Sequence, residues 1–327
     1  MRLSHDEQAG AYGMREPATQ ASSPESVASS KPLLATKLYI PPVRPNLVAR
    51  PRLIERLNEG LYLARKLTLI SAPAGFGKTT LLSTWLADSP CPAAWLSLDA
   101  GDSDPVRFLS YLIAALQAIV PGIGEEAQGL LRSPQPLPIE SILTTLVNEL
   151  CTLLEDIVLV LDNYHLIDTP AIHNAMAFLL DNLPSQMHPV IATRADPPLP
   201  LARLRASSQL TDIRTEHLLF TLDETDLFLK HVMGLDLSDE EVAALETRSE
   251  GWIAGLQLAA LSLQGRDSED LADSVSALTG SQRYIADYLV EEVLQRQPDV
   301  VRDFQGIPDR SWSPFLFPIS TKPQNKP

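Results

Sequence analysis

Cysteine is nearly absent from the sequence, which has only Cys91 and Cys151 among its 327 residues. Their spacing matches no metal-binding or thiol–disulfide motif, which excludes a disulfide framework or a zinc ribbon as the basis of the fold. So little cysteine is typical of proteins that work in a reducing cytosol.

Basic residues are also scarce. The chain has 26 Lys and Arg against 41 Asp and Glu, a formal net charge of −15. A surface that grips nucleic acid must be positively charged to contact phosphates. We therefore expect no direct DNA binding by this chain.

Long apolar runs are missing as well. No run approaches the roughly 18 to 20 residues that a membrane-spanning helix needs. The N-terminus is polar and lacks the apolar core of a signal peptide. Hydrophobic residues still make up 45% of the chain, enough for a real core, so we expect a soluble cytoplasmic protein without a membrane partner.

The feature around which the chain is organised is the stretch LTLISAPAGFGKTTLLSTW, residues 67–85. A short apolar strand is followed by a loop of small residues, then Gly-Lys-Thr, then an apolar helix. This context is the one in which a phosphate-binding loop (P-loop) occurs. Glycine keeps side chains away so that backbone N–H groups can surround a phosphate, and the helix N-terminus adds partial positive charge.

Each residue of the loop has a predicted role. Lys78 would reach the β- and γ-phosphates, and the Thr79 hydroxyl would ligate Mg²⁺. The full pattern begins with glycine, whereas this chain has Ala72. The alternative is a glycine-rich turn with a surface lysine. The predicted nucleotide-binding residues are Ala74, Gly75, Phe76, Gly77, Lys78, Thr79 and Thr80.

A second motif ends the apolar run 157–161, where Asp162 is followed by Asn163. An acid at the tip of a buried strand downstream of a P-loop is the Walker B arrangement, in which Asp162 holds Mg²⁺. The alternative is an acidic helix cap. We expect His165, just beyond, to be structural rather than catalytic.

Arg194 follows another predicted strand, residues 189–193. It is a candidate sensor of the γ-phosphate and the third predicted catalytic residue beside Lys78 and Asp162. A surface arginine paired with Asp196 is the alternative.

Strands and helices alternate over residues 33–220, which predicts an α/β domain with a doubly wound parallel sheet and a ligand at the carboxyl ends of its strands. Residues 121–138, rich in Pro and Gly, are expected to be a loop, and residues 212–220 an edge strand. The extended segment 33–52 either lies along the nucleotide base or braces the domain.

From Thr221 the pattern becomes helical, with capping boxes at Thr221/Glu224 and Ser238/Glu241. Residues 221–304 are therefore predicted to form a smaller, all-helical or winged-helix-like lid domain. Residues 1–32 and 305–327 have the composition of a disordered leader and tail. Because the helical pattern stops near Gln305, we hypothesise a truncated gene or a shifted reading frame, which resequencing the locus would test.

Seven segments, in this order, resemble the N-terminal half of the large ATP-binding LuxR-type transcriptional regulators, the family that includes the maltose-regulon activator. They span about residues 33–304. The segments are LYIPPVRPNLVARPRL, ISAPAGFGKTTLL, AWLSLD, LVLDNYHLI, TRADPPLPLARLRA, SEGWIAGLQLAALSL and YLVEEVLQRQP.

This family belongs to the STAND class of P-loop NTPases, so the resemblance implies an ATP/ADP-dependent signalling switch with Mg²⁺. ADP would hold a resting monomer, and ATP with an inducer would favour self-association. The family's P-loop lysine and Mg²⁺-binding threonine fall on Lys78 and Thr79, its Walker B acid on Asp162 and its sensor arginine on Arg194. The segment at Gly251-Trp252 matches the part of the lid that approaches the nucleotide.

The sequence departs from the family in two ways. A second acid often follows the Walker B aspartate, but here Asn163 does, and an amide cannot take a proton from water, so we expect at most a slow ATPase. The sensor repeats and the helix-turn-helix are not found after Phe304. Alternative functions are a P-loop ATPase or phosphotransferase enzyme, or a fragment that binds no nucleotide and pairs with a full-length relative.

Overall fold

The computed structural model describes residues 32–135 and 137–264. The predicted leader (1–32, of which only Pro32 is described), the part of the predicted lid after Gln264 and the tail (305–327) fall outside these residues. Internal contacts divide the chain at Leu34, and the unit Ala35–Pro327 contains every element described below. No helix within the described residues is long and apolar enough to cross a bilayer.

A five-stranded parallel sheet with strand order β2-β3-β4-β1-β5 forms the centre of this unit. Its strands are β1 (Leu67–Ser71), β2 (Ala93–Ser97), β3 (Ile157–Asp162), β4 (Met187–Thr193) and β5 (Leu210–Arg214). Every residue of β1, β3 and β4 is buried. Such strands are covered on both faces by helices, which explains their nearly continuous apolar sequences.

Helices cover the sheet and connect its parallel strands, as the doubly wound fold requires. In chain order they are α1 (Pro51–Tyr62), α2 (Lys78–Ala87), α3 (Pro105–Gln117), α4 (Glu125–Leu131), α5 (Ile139–Leu150), α6 (Pro170–Asp181), α7 (Leu201–Ala206) and the short α8 (Thr215–Leu218). One-turn 3-10 helices lie at Ala35–Leu38, Ala100–Ser103 and Tyr164–Leu166. The predicted α/β class with a doubly wound parallel sheet is confirmed.

Helices continue after the sheet, and between Thr221 and Gln264 the structure describes no strand. They are α9 (Leu222–Asp226), which runs into a π-helical turn (Leu227–Val232), then α10 (Asp239–Ser249) and α11 (Ile253–Leu263). Both predicted capping boxes are present, at Thr221/Glu224 and Ser238/Glu241. These helices share a buried cluster that includes Phe228, Leu245 and Leu256.

Two predictions of local structure were wrong. The expected loop 121–138 contains α4, which begins after Gly124 because that residue adopts a left-handed conformation (φ 73°) and donates its N–H to Glu149 Oε2 at 2.6 Å. The expected edge strand 212–220 is β5, which begins two residues earlier and ends at Arg214, where α8 follows. Local composition does not predict these bounds, because the distant residue Glu149 fixes the start of α4 and pairing with a neighbouring strand fixes the bounds of β5.

Candidate nucleotide-binding site

The loop between β1 and α2 has the backbone that its glycines predict. Gly75 and Gly77 have φ angles of 79° and 73°, a left-handed conformation that costs other residues about 1–2 kcal/mol. An added Cβ at Gly77 would also lie 3.1 Å from Ile253 Cδ1. Ala72, where the pattern has glycine, needs no such freedom, since its φ is not positive and its methyl group packs in the core.

Helix α2 begins immediately after this loop. Its N-cap residue, Gly77, makes no side-chain capping bond to the first amides of the helix. The N–H groups at a helix start have no intrahelical partner and carry partial positive charge, which suits an anion. Among the other predicted contact residues, Ala74 and Phe76 are buried, Thr80 is exposed, and Phe76 belongs to the core cluster beside the loop.

The Lys78 side chain folds back over the loop. Its Nζ donates hydrogen bonds of 2.7 Å to the carbonyl oxygens of Ala72 and Pro73. The pKa of Lys78 is lowered to about 8, mainly because burial removes water from the ammonium. The positive charge of Arg194 contributes to this lowering, and the negative charge of Asp162 opposes it. Lys78 is therefore a mostly buried cation that lies near both other predicted catalytic residues.

Thr79 and Asp162 meet above the sheet. The Thr79 hydroxyl donates to Asp162 Oδ2 at 2.9 Å, and the backbone N–H of Asn163 donates to Oδ1 at 3.0 Å. Asp162 is only 3% exposed. Burial raises the pKa of its carboxyl group, while these two hydrogen bonds and the charge of Lys78 oppose the rise. The choice between a Walker B acid and a helix cap for Asp162 stays a prediction.

Two oxygen atoms that could ligate a metal, the Thr79 hydroxyl and a carboxylate oxygen of Asp162, thus lie within hydrogen-bonding distance of each other and close to Lys78. Mg²⁺ prefers oxygen ligands, keeps several waters and takes only one or two protein ligands beside substrate phosphates. The described residues contain no cluster of three or more His, Cys, Asp or Glu that could hold a metal without such help. The donor set therefore fits Mg²⁺ that is bound together with a nucleotide, rather than an ion held by protein ligands alone.

Arg194 follows β4 directly and is half-buried. Its electrostatic effect on Lys78 puts its charge close to the loop. Asp196, its alternative partner, forms an ion pair with Arg214 and lies 3.6 Å from Arg205. The choice between a sensor and a surface ion pair stays a prediction.

The segment before α1 and the first turn of α1 make contacts typical of a brace. Arg50 donates to the carbonyl oxygens of Leu218 and Leu219 at 2.9 and 2.8 Å. Arg50 and Arg52 both pair with Glu224 at 3.1 Å. The buried Lys37 pairs with Asp102, which is fully buried. A role beside the nucleotide base stays a prediction.

Sequence reasoning missed how closely α11 approaches the loop. The Trp252 indole Nε1 donates to the carbonyl oxygen of Ala74 at 3.2 Å, and the Ala254 amide donates to that of Gly75 at 3.1 Å. The Gly251-Trp252 pair signalled a lid near the nucleotide. Which loop atoms it would contact was not readable from the sequence.

Comparison with known proteins finds relatives among bacterial regulators. The chain is 34% identical over 272 residues to the HTH-type transcriptional regulator MalT of Vibrio parahaemolyticus, and 35% identical over 274 residues to that of Serratia proteamaculans. Both alignments cover 83% of this chain and 30% of the relative. The chain is therefore homologous to part of the MalT regulators, which confirms the family resemblance, and it spans about a third of their length.

Other comparisons add less. No family model matches the sequence. A solved structure, the Walker-type ATPase of Pyrococcus abyssi, superimposes with a TM-score of 0.49 at 17% identity, covering 80% of each chain. A likeness of this size carries no argument about function.

Proposed function

We propose that this homologue of the MalT regulators binds ADP and ATP with Mg²⁺ at Lys78, Thr79 and Asp162 and acts as a nucleotide-dependent switch in transcription regulation. The observation that carries the proposal is the 2.9 Å hydrogen bond between Thr79 Oγ1 and Asp162 Oδ2, close to the part-buried Lys78. This arrangement joins the two predicted motifs at one edge of a parallel sheet, where such folds bind ligands.

The roles of the residues follow from their chemistry. The amides from Gly75 to Thr80 would surround the phosphates, and Lys78 would exchange its carbonyl partners for phosphate oxygens. Thr79 and Asp162 would hold Mg²⁺, which neutralises phosphate charge when it is bound. Arg194 would supply a second positive charge near Lys78 and would sense the γ-phosphate by interacting with it.

A switch is favoured over a fast enzyme because Asn163 replaces a possible second acid. Asn163 has a left-handed backbone (φ 61°), a conformation that asparagine tolerates well. Its amide cannot serve as a general base. The two nucleotides would instead bias an equilibrium between two conformations through their different affinities for each.

We further propose that the switch has two parts, a nucleotide-binding domain (33–220) and a helical lid (221–304). The separate buried cluster around Phe228 and Leu256 supports this division for the described part of the lid. The net charge of −15 disfavours direct DNA contact by this chain. We therefore propose that it signals through self-association or through pairing with a full-length relative.

The test uses the purified 327-residue chain. Mass analysis of the supernatant after denaturation identifies retained nucleotide, calorimetry measures affinity for Mg-ADP and Mg-ATP, and phosphate release measures turnover. The proposal predicts retained ADP and turnover below about one per minute, well under typical enzymes. A folded sample that binds neither nucleotide would favour the non-binding interaction fragment, and much faster turnover would favour an ATPase or phosphotransferase.

A further inference from the structure

We infer that Trp252 is a positioning residue for the phosphate-binding loop. Its indole, together with the Ala254 amide, holds two carbonyl groups of the loop so that the adjoining amides face the phosphate. Loop shape and the docking of α11 would therefore depend on each other. This inference rests on the proposed function, because it assigns the loop a nucleotide.

The contacts join the two elements through the loop backbone. Trp252 Nε1 donates to Ala74 O at 3.2 Å, and the backbone N–H of Ala254 donates to Gly75 O at 3.1 Å. Trp252 and Ala254 lie about 180 residues further along the chain than the loop. The start of α11 thus binds two consecutive carbonyl groups of the P-loop.

Because the peptide bond is planar and trans, these contacts also fix the orientation of two backbone N–H groups of the loop. In such a bond the C=O and the following N–H point in opposite directions. Fixing the carbonyl of Ala74 therefore fixes the amide of Gly75, and fixing the carbonyl of Gly75 fixes the amide of Phe76. Two backbone N–H groups that would donate to the phosphate are therefore oriented by contacts with residues outside the loop.

The loop needs an external restraint at this point. Gly75 has a φ of 79°, and glycine moves between backbone conformations at little energetic cost. A loop with this freedom loses entropy when it closes around a ligand. Holding it in shape beforehand reduces that loss and strengthens binding.

The indole itself packs against two further residues. The Phe76 ring lies 6.4 Å from the Trp252 ring, centroid to centroid, at an interplanar angle of 39°. The backbone at Gly255 also lies against the ring, since a Cβ added there would lie 2.7 Å from Trp252 Cε3. Only glycine at position 255 leaves the ring in this place, which gives the spacing Trp252-x-x-Gly255 a physical reason.

The test compares Trp252→Phe with Trp85→Phe in the full chain. Both changes delete one indole N–H donor, since Trp85 Nε1 donates to Asn58 Oδ1 at 2.7 Å. Trp85 is seven residues beyond Lys78 on α2, roughly 10 Å along the helix. The control therefore loses an equivalent hydrogen bond away from the loop.

Two quantities are measured for each variant. Hydrogen exchange in the nucleotide-free protein reports on the amides of Gly75, Phe76 and Ala254, and calorimetry gives the Kd for Mg-ADP. For Trp252→Phe we expect about five-fold faster exchange of these amides and about five-fold weaker ADP binding, the effect of losing one hydrogen bond. Trp85→Phe should match the wild type in both.

Gly255→Ala provides a second variant that keeps the indole N–H but displaces the ring. It should fold, because alanine is favoured over glycine inside a helix, and it should reproduce the effects of Trp252→Phe. Equal exchange in the wild type and in both variants would overturn the inference. Exchange needs no nucleotide, so faster exchange in a protein that fails to bind ADP would refute the proposed function while leaving the restraint intact.

Discussion

Thr79 and Asp162 are 83 positions apart in the sequence, yet their side chains meet at 2.9 Å. Thr79 lies in α2, which follows β1, and Asp162 ends β3, while β4 lies between these two strands in the sheet. The hydrogen bond therefore connects residues on either side of β4, at the carboxyl ends of the strands where we propose that the nucleotide binds. The Thr79 hydroxyl keeps its lone pairs while it donates this bond, so its oxygen can still ligate Mg²⁺.

Asp162→Asn should separate metal binding from stability. The buried carboxylate costs desolvation free energy, which is why its pKa is raised. The neutral amide avoids that cost, so we expect a higher Tm for the nucleotide-free protein. Addition of Mg²⁺ should no longer strengthen ADP binding, because an amide is a weaker ligand for the ion. Thermal unfolding and calorimetry with Mg²⁺ or with EDTA measure the two effects. A variant that kept the full Mg²⁺ dependence would remove Asp162 from the site.

Nucleotide affinity should fall as the pH rises through about 8. The pKa of Lys78 is lowered from 10.5 to about 8, so above pH 8 the free protein carries a neutral lysine, which must take up a proton from solvent when the phosphates bind. Binding then takes up a proton, and the affinity for ADP should fall by up to tenfold per pH unit. Calorimetry at pH 7.0 and 9.5, in buffers of different ionisation enthalpy, measures both. Affinity independent of pH would contradict the buried position of Lys78 beside the phosphates.

The same pKa has the opposite consequence for stability without nucleotide. Because the folded value lies below that of the unfolded chain, the unfolded chain binds more protons between pH 8 and 10.5. The cost of burying charged Lys78 is present below pH 8 and is relieved as the pH rises through this window. Lys78→Met removes this titrating group. Between pH 8 and 10.5 the free energy of unfolding of the variant should therefore rise less than that of the wild type, as urea unfolding at several pH values would show.

Glu224→Ala should destabilise the fold strongly. Glu224 pairs with Arg50 and Arg52, and the side chains of Arg50 and Glu224 are only 9% and 10% exposed. Removing the carboxylate leaves a buried guanidinium without its charge partner, which costs about 3–5 kcal/mol of unfolding free energy.

The matched control for this prediction is Glu59→Ala. Glu59 also pairs with an arginine, Arg65, at 3.2 Å, but it is 58% exposed. Exposed pairs contribute about 0–1 kcal/mol. Urea unfolding of both variants should separate them clearly. Similar losses would mean that the ion pairs of Glu224 do not fasten the start of α1 to α9.

The sequence predicted the features that depend on local pattern. Apolar runs marked β1 and β3, because strands buried on both faces admit few polar residues. Gly75, Gly77 and Lys78 marked the loop, because its backbone conformation and its chemistry require these residue types.

Features that depend on distant residues were not readable. Helix α4 begins where Gly124 donates to Glu149, 25 positions away. The contact of Trp252 with Ala74 joins elements 178 positions apart. Composition near either partner carries no signal for such contacts, because the geometry arises only after the distant elements have packed together.

The most direct test of the nucleotide site is the affinity of the full chain for Mg-ADP, compared between the wild type and Lys78→Ala, with Lys66→Ala as the control. The Nζ of Lys66 donates to the Asp181 carbonyl oxygen at 3.1 Å, an exposed bond from the residue before β1 to the last residue of α6. Charge-assisted hydrogen bonds contribute about 1.5–3 kcal/mol each, so losing Lys78 should weaken binding about 100-fold or more, while Lys66→Ala binds as the wild type does. Unchanged affinity in a folded Lys78→Ala variant would contradict the assignment of this loop as the phosphate-binding site.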